Sequence, residues 1–232
     1  MMVGIIGGIG PESTVQYYRS IIASYREHKT DGSYPEIIVN SVNLREMLGY
    51  IEANDLKGVT DFLLREVVKV FRAGADFAVM ASNTPHIVFD DVRLRSPIPL
   101  ISIVEATCTE ARSLGLKRVG LFGALYTMQA RFYPDVFLKH GVEVIAPGNV
   151  DQVYIHEKYM GELVNGIVRP ETREALVGIA ERMREEQNIE GLILGGTELP
   201  LILTNAEEAG IPILNTSSIH VKEIVAKLLS QS

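Results

Sequence analysis

Two short stretches decide the fold of this chain, FAVMASNTPH at residues 77–86 and LILGGTELP at residues 192–200. Each is an apolar run followed by small or hydroxyl residues and then by a proline, which predicts a buried strand that turns into a helix N-terminus. If both strands are parallel, Ser82 and Gly196 lie at equivalent carboxyl ends, where open α/β sheets bind their ligands. The cleft between these two turns is the predicted functional site.

The rest of the chain alternates predicted strands and helices around these stretches. Strands are predicted at residues 2–6, 37–43, 77–81, 100–101, 119–122, 142–145, 191–194 and 212–214, and helices at 11–25, 55–73, 103–114, 127–140, 151–165, 170–187, 201–209 and 217–229. This alternation predicts an α/β fold with mainly parallel sheets and helices on both faces.

The order of elements in residues 1–95 is echoed in residues 117–210, which predicts two pseudo-symmetric, doubly wound lobes with a ligand cleft between them. We expect an N-terminal lobe of residues 1–100 plus 215–232 and a C-terminal lobe of residues 101–214.

Composition narrows the class of partner. The 232 residues are 47% hydrophobic and 22% charged, which is typical of a compact protein with a real core. A net charge of -7 without a basic stripe argues against nucleic acid and favours a small-molecule partner. No apolar run is long enough for a membrane helix and no leader sequence is evident, so we expect a cytoplasmic protein without a membrane partner.

Cysteine and histidine usage gives no sign of a metal site. The single cysteine, Cys108, excludes an intrachain disulfide and a thiolate metal cluster within one chain. The five histidines are scattered without the spacing of metal ligands. We therefore predict no metal.

The first strand runs into a glycine-rich turn, GGIGPEST at residues 7–14. Such a turn raises the possibility of dinucleotide binding, but Ser13 stands where the third glycine of that fingerprint belongs, and the next strand ends without a ribose-binding acid. Two uses of Gly8 and Gly10 remain open. They bring backbone N–H groups to a small anion, or they make a tight turn.

Arg45 follows the second predicted strand. It is either a clamp for a carboxylate or a solvated surface charge.

Four ordered motifs resemble the aspartate/glutamate racemase family along the whole chain. They are GGIGP at residues 7–11 with Thr14, NTPH at 83–86, residues 159–166 with Glu162 and Leu163, and GGTELP at 195–200. The resemblance implies two α/β domains that hold a small acidic amino acid between them, no cofactor, and a homodimer. It also implies racemisation by two cysteine thiols, one on each side of the substrate α-carbon.

The chain departs from this family at both thiol positions. One family cysteine precedes Asn-Thr and the other precedes Thr-Glu, and these positions are Ser82 and Gly196 here. Inverting an α-carbon needs a base on one face and an acid on the other. A serine hydroxyl is a poor base without an activating neighbour, and glycine has no side chain. Cys108 is no substitute, because it lies in a predicted helix and is expected to pack as a small apolar residue.

The residues that bind substrate in the family are mostly present. By resemblance, Asn83, Thr84 and Thr197 bind the α-carboxylate and the turn from Gly8 to Gly10 lines the pocket. Two helix N-termini would also suit a carboxylate on physical grounds.

Other candidates keep more than one interpretation. Glu198 binds the substrate ammonium or complements a helix dipole. His86 donates to the ligand or to Ser82, or it packs as a satisfied histidine under the turn. Tyr159 and Glu162 are further candidates near the cleft.

Three functions are consistent with these residues. The first is a PLP-independent racemase of acidic amino acids, an isomerase. The second is a lyase or isomerase of a small dicarboxylate, with Ser82, His86 or Glu198 as its acid or base. The third is a binding protein that keeps the carboxylate pocket without catalysis.

Overall fold

The computed structural model describes residues 1–205 and 207–230, which form two compact units. The first unit comprises residues 1–103 and the described residues from His220 onward, and the second comprises Val104–Ile219. The chain leaves the first unit once and returns to it in its last helix. No helix in the described ranges is long and apolar enough to cross a lipid bilayer.

The first unit is built on a parallel sheet of four strands, β1 (Met2–Gly7), β2 (Glu36–Ser41), β3 (Phe77–Met80) and β4 (Leu100–Ile101). Its helices are α1 (Pro11–His28), α2 (Leu44–Glu52), α3 (Leu56–Arg72), a 3₁₀ turn at Thr84–Val88, and α4 (Phe89–Arg95). The strand order is β2-β1-β3-β4, so the connections leave β1 and β3 in opposite directions. Such a switch opens a crevice beyond the carboxyl ends of these two strands.

The second unit repeats this arrangement with five strands, β5 (Arg118–Gly123), β6 (Glu143–Ile145), β7 (Gly191–Gly195), β8 (Glu207–Glu208) and β9 (Ile211–Asn215). The strand order is β6-β5-β7-β9-β8, parallel except for the pairing of β8 with β9. The next helices along the chain are α5 (Ile103–Ser113), α6 (Leu125–Gln129), α7 (Phe132–Leu138), α8 (Asn149–Gly161) and α9 (Pro170–Gln187), with 3₁₀ turns at Leu163–Asn165 and Leu199–Leu201. The last helix, α10 (Thr216–Leu229), begins in the second unit and returns the chain to the first. The switch point here lies between β5 and β7.

Apolar side chains cover both faces of the first sheet. One face packs against α2, α3 and α4 through a cluster that includes Met47, Leu63 and Val92. The other face packs against α1 and α10 through a cluster that includes Tyr17 and Ile224. Because both faces are covered, the sheet meets solvent mainly along its strand ends. The predicted α/β class with mainly parallel sheets is confirmed.

Two predicted helices differ from the structure. The segment predicted as one helix at 127–140 is α6 followed by α7, with an extended backbone at Ala130 between them. Pro134 explains the break, because a proline ring clashes with the carbonyl four residues earlier in a continuous helix.

The predicted helix at 201–209 is wrong. Its described residues form a 3₁₀ turn and then strand β8, whereas Ala206 lies outside the described residues. Ala209 and Gly210 both have positive φ, 54° and 71°, and close a two-residue hairpin between β8 and β9. Glu208 anchors the hairpin, because its buried carboxylate accepts two hydrogen bonds from Arg173 at 2.8 and 3.0 Å.

Two histidines are buried in the first unit. Nε2 of His220 donates to the carbonyl of Ile101 at 3.1 Å, and its Nδ1 accepts the hydroxyl proton of Tyr17 at 3.0 Å. Burial lowers the pKa of His220 to about 4. Burial, and then the proximity of His220, lowers the pKa of His86 to about 3. Both rings are therefore neutral at neutral pH.

Lowering the pH from about 7 to about 4 should destabilise the protein. Histidines of the unfolded chain titrate near 6.5, so in this window the unfolded state binds more protons than the native state. The stability that the neutral rings contribute is fully present above about pH 6.5. It is lost as the pH falls from there towards the folded-state pKa of His220, about 4. Urea titrations should show a loss on the order of 3 kcal/mol from His220.

His220→Gln should flatten this pH dependence, whereas His28→Gln, at an exposed histidine, should leave it unchanged. Equal pH dependence in the two variants would contradict the assignment to His220.

Candidate functional site

The glycine-rich turn after β1 is held by its own side chains. Gly8 has φ +81°, and a Cβ there would lie 2.6 Å from the carbonyl oxygen of Val42. Its N–H donates to Oγ1 of Thr14 at 2.8 Å, and Thr14 in turn donates to the carbonyl of Gly10 at 3.0 Å. The turn is thus closed by an internal network that uses the Gly8 N–H, and Gly10 caps the N-terminus of α1.

The turn after β3 is the neighbour of the glycine-rich turn in the sheet, because β1 and β3 pair directly. Ser82 and Asn83 are buried, and Thr84 is half-buried. The structure therefore brings these three predicted residues to the same switch point as Gly8 and Gly10. Within the described chain, the Ser82 hydroxyl has no hydrogen-bond partner that would activate it as a base.

His86 lies under this turn. Its Nε2 accepts the backbone N–H of Ile103 at 3.3 Å, so the proton of the neutral ring is on Nδ1. The nearby backbone of Ser82 and of Asn83 raises the pKa of His86, but by less than burial lowers it. Nδ1 makes no hydrogen bond within the described ranges. The ring also stacks on Phe89 with 4.9 Å between centroids. These contacts account for Nε2 and for the face of the ring, whereas the Nδ1 N–H has no partner among the described residues, so packing under the turn and donation to the ligand or to Ser82 both stay predictions.

Arg45 lies in the first turn of α2, just beyond the carboxyl end of β2. Its side chain is exposed and forms no ion pair with any residue of the described ranges. Its backbone N–H is held by Oδ1 of the capping residue Asn43 at 3.2 Å. A guanidinium without an ion pair beyond the carboxyl end of β2 suits a carboxylate, whereas Arg65 of the neighbouring helix α3 is paired with Glu46 at 2.9 Å.

In the second unit, the ring of Tyr159 occupies the space beside Gly196. A Cβ built on Gly196 would lie 2.6 Å from Cε2 and 3.0 Å from Cζ of that ring. Real Cβ atoms do not approach a neighbour so closely, so any side chain at position 196 requires Tyr159 to move. Tyr159 projects from α8 and is buried.

The hydroxyl of Tyr159 donates to Oε2 of Glu198. Thr197 donates its hydroxyl to the same oxygen at 2.8 Å. Glu198 is buried, yet its other oxygen, Oε1, accepts no hydrogen bond within the described ranges. Burial, followed by the negative charge of Glu198, raises the pKa of Tyr159 well above its ordinary value. Tyr159 is therefore a proton donor in this arrangement.

Glu162, a further candidate, forms hydrogen bonds with Lys158 and Thr172. Hydrogen bonds from Lys158 and then Thr172, both at 2.7 Å, hold its pKa below the ordinary value. Cys108 is buried in α5, and burial raises the pKa of its thiol. Neither residue lies in a strand-end turn. In the described ranges, no three His, Cys, Asp or Glu side chains are arranged to hold a metal ion.

The sequence gives little sign of the contact between Tyr159 and Gly196. Tyr159 lies 39 positions before its hydrogen-bond partner Glu198, on a helix whose apolar face is interrupted by charges. The relevant signal is a glycine directly before Thr-Glu, because a missing side chain leaves space that a packed protein fills.

Each unit thus places a polar turn at the switch point of a doubly wound parallel sheet, the arrangement of an α/β protein that binds a small ligand at strand ends. Comparison with known proteins gives the family. The chain belongs to the Asp/Glu/Hydantoin racemase family, which matches residues 6–224.

Several relatives align over nearly the whole chain. It is 25% identical over 235 aligned residues to the broad specificity amino-acid racemase RacX of Bacillus subtilis, covering 99% of both proteins. It is 34% identical to PH1733 of Pyrococcus horikoshii, an aspartate racemase homologue, with a TM-score of 0.85 and 98% of both chains covered. A Francisella tularensis glutamate racemase, solved with D-glutamate, shares the fold at 17% identity, with a TM-score of 0.65 and coverage of 99% of this chain and 83% of that one.

Gly196→Ala should destabilise the protein by about 1 to 3 kcal/mol, because the new methyl group overlaps the Tyr159 ring. The same change in a Tyr159→Ala background should cost much less, and a double-mutant cycle of urea titrations measures the difference.

Gly178→Ala is the matched control, because a Cβ there meets only an arginine side chain at 3.9 Å within a helix. That substitution should be neutral or stabilising. An equal cost of Gly196→Ala in both backgrounds would contradict the steric explanation.

Proposed function

We propose that this chain binds a small acidic amino acid, without a cofactor, at the polar turns that follow the strands of its sheets. The observation that carries the proposal is the repeated placement of polar turns. Ser82, Asn83 and Thr84 follow β3, and Thr197 and Glu198 follow β7, at equivalent positions of two sheets with the same strand order. Polar turns at these positions are the substrate-binding turns that the family resemblance implies.

The two ends of the ligand would meet different groups. Asn83, Thr84 and Thr197 would bind the α-carboxylate, because side-chain amide and hydroxyl groups can donate hydrogen bonds to carboxylate oxygens. The glycine turn at Gly8 and Gly10 would line the pocket by shape, since the Gly8 N–H already serves Thr14.

Arg45 would bind the second carboxylate of the ligand. It is an exposed guanidinium that has no carboxylate partner in the described protein. Glu198 would bind the ammonium through Oε1, which accepts no hydrogen bond from described residues. The remaining role of Glu198, complementing a helix dipole, is weakly supported because only a 3₁₀ turn of three residues follows it.

Racemisation by two thiols is not part of the proposal. That mechanism needs two cysteines, and the chain has one, buried in α5. At the positions that correspond to the family thiols, Ser82 lacks an activating base and Gly196 lacks a side chain. The retained turns then serve to bind an amino acid.

Relatives support the class of ligand. The names of RacX and PH1733 refer to amino-acid and aspartate racemases, and the Francisella enzyme was solved with D-glutamate. We propose that the ligand of the present chain is an acidic amino acid of this kind. The homodimer and the cytoplasmic location remain predictions from resemblance and composition.

A second candidate is a lyase or isomerase of a small dicarboxylate. The Glu198 carboxylate favours it, because its Oε1 accepts no hydrogen bond from described residues and can exchange a proton with a ligand. Addition to the double bond of a dicarboxylate delivers one proton to carbon and the reverse elimination removes one, whereas racemisation removes a proton from one face of the α-carbon and returns one to the other. Nε2 of His86 is not a base in this candidate, since it is engaged by Ile103.

Aspartate or glutamate at 100 times its dissociation constant should stabilise the protein by about 2.7 kcal/mol, read as a shift in thermal unfolding. In D₂O, proton NMR should show that the α-proton of either enantiomer is retained in the presence of the native chain. A variant with Ser82→Cys, Gly196→Cys and Tyr159→Ala has both thiols and the space for them, and it should exchange that proton.

Exchange by the native chain would mean that an oxygen base replaces the thiols. Absence of stabilisation by any acidic amino acid would contradict the proposed ligand, and turnover of a dicarboxylate without α-proton exchange would favour the second candidate.

A further inference from the structure

The ring of Tyr159 fills the space beside Gly196, and its hydroxyl donates a hydrogen bond to Glu198. A side chain at position 196 would displace the ring and with it the hydroxyl. The glycine and the tyrosine therefore form a matched pair, in which the absence of one side chain makes room for the other.

The hydrogen bonds on Glu198 are asymmetric. Tyr159 and Thr197 both donate to Oε2, and Oε1 accepts none from the described residues. Two donors on one oxygen fix the plane and direction of the carboxylate, which leaves the second oxygen oriented and available. A buried carboxylate with one oriented oxygen favours a cationic donor such as a primary ammonium.

We propose that Tyr159 is a positioning residue that aims Glu198 at the amino group of the ligand and so makes the site selective for amino acids over plain dicarboxylates. This inference rests on the proposed function and adds to it the residue that determines selectivity. Tyr159 reaches the ligand only through Glu198, so its loss should affect recognition of the ammonium and leave recognition of the carboxylates intact.

Isothermal titration calorimetry with D- and L-aspartate and with succinate, which has both carboxylates and no amino group, tests this inference. Tyr159→Phe keeps the ring beside Gly196 and removes the hydroxyl. It should weaken aspartate binding about tenfold or more, which is typical of losing a hydrogen bond to a charged group, and change succinate binding less than about twofold. Glu198→Gln should show the same selective loss.

Tyr154→Phe is the matched control, because Tyr154 lies on the same helix, its ring contacts Lys158, and its hydroxyl is not among the donors to Glu198. It should leave both affinities unchanged. Thermal unfolding of each variant verifies that it is folded.

Each outcome decides the inference. A selective loss of aspartate affinity in Tyr159→Phe supports it. An equal loss for aspartate and succinate, or no loss, overturns it while the acid-binding function stands. If the native chain binds succinate as tightly as aspartate, the selectivity fails and the carboxylate pocket remains. If it binds neither ligand, the proposed function fails and the inference fails with it.

Discussion

The structure depends on one constraint, the burial of parallel strands on both faces. Helices cover the sheet of the first unit with apolar clusters on each side, so polar groups can reach a ligand mainly where strands end. The chain then needs turns that are tight and polar at once, because the backbone must reverse into a helix beside an open crevice. Gly8 and the turn at Ser82 meet both requirements in the first unit, and the turn at Thr197 does so in the second.

Close packing also explains what differs at the two turns. Beyond β3 the side chains are small. Nε2 of His86, beneath them, accepts the backbone N–H of Ile103 and therefore cannot act as a base there. Beyond β7 the missing side chain at Gly196 is compensated by an aromatic ring whose hydroxyl orders Glu198. The same fold thus presents hydroxyls and amides at the turn of the first unit and an oriented carboxylate at the turn of the second.

Much of the fold could be predicted because its signals are local. Apolar runs bounded by glycine, proline or hydroxyl residues gave the strands, and the repeated order of elements gave two similar sheets. The errors came from longer-range causes. Pro134 breaks a helix at Ala130, and a hairpin closes through Ala209, a residue that rarely adopts positive φ.

For the site residues as well, local features could be predicted from the sequence and long-range contacts could not. The polar turns could be located by sequence, since they directly follow buried strands. The roles of individual side chains could not, because they depend on partners elsewhere in the chain. His86 is engaged by Ile103, 17 positions away, and Tyr159 meets Glu198 across 39 positions.

The return of α10 to the first unit has a consequence for biosynthesis. Its residues Val221, Ile224 and Val225 cover the face of the first sheet that carries Val3 and Ile5, and His220 bonds to Tyr17 across 203 positions of sequence. A ribosome therefore releases the strands of this sheet long before the helix that shields them. The N-terminal half must wait for the C-terminus to emerge, so the portion made first is the portion whose core is completed last.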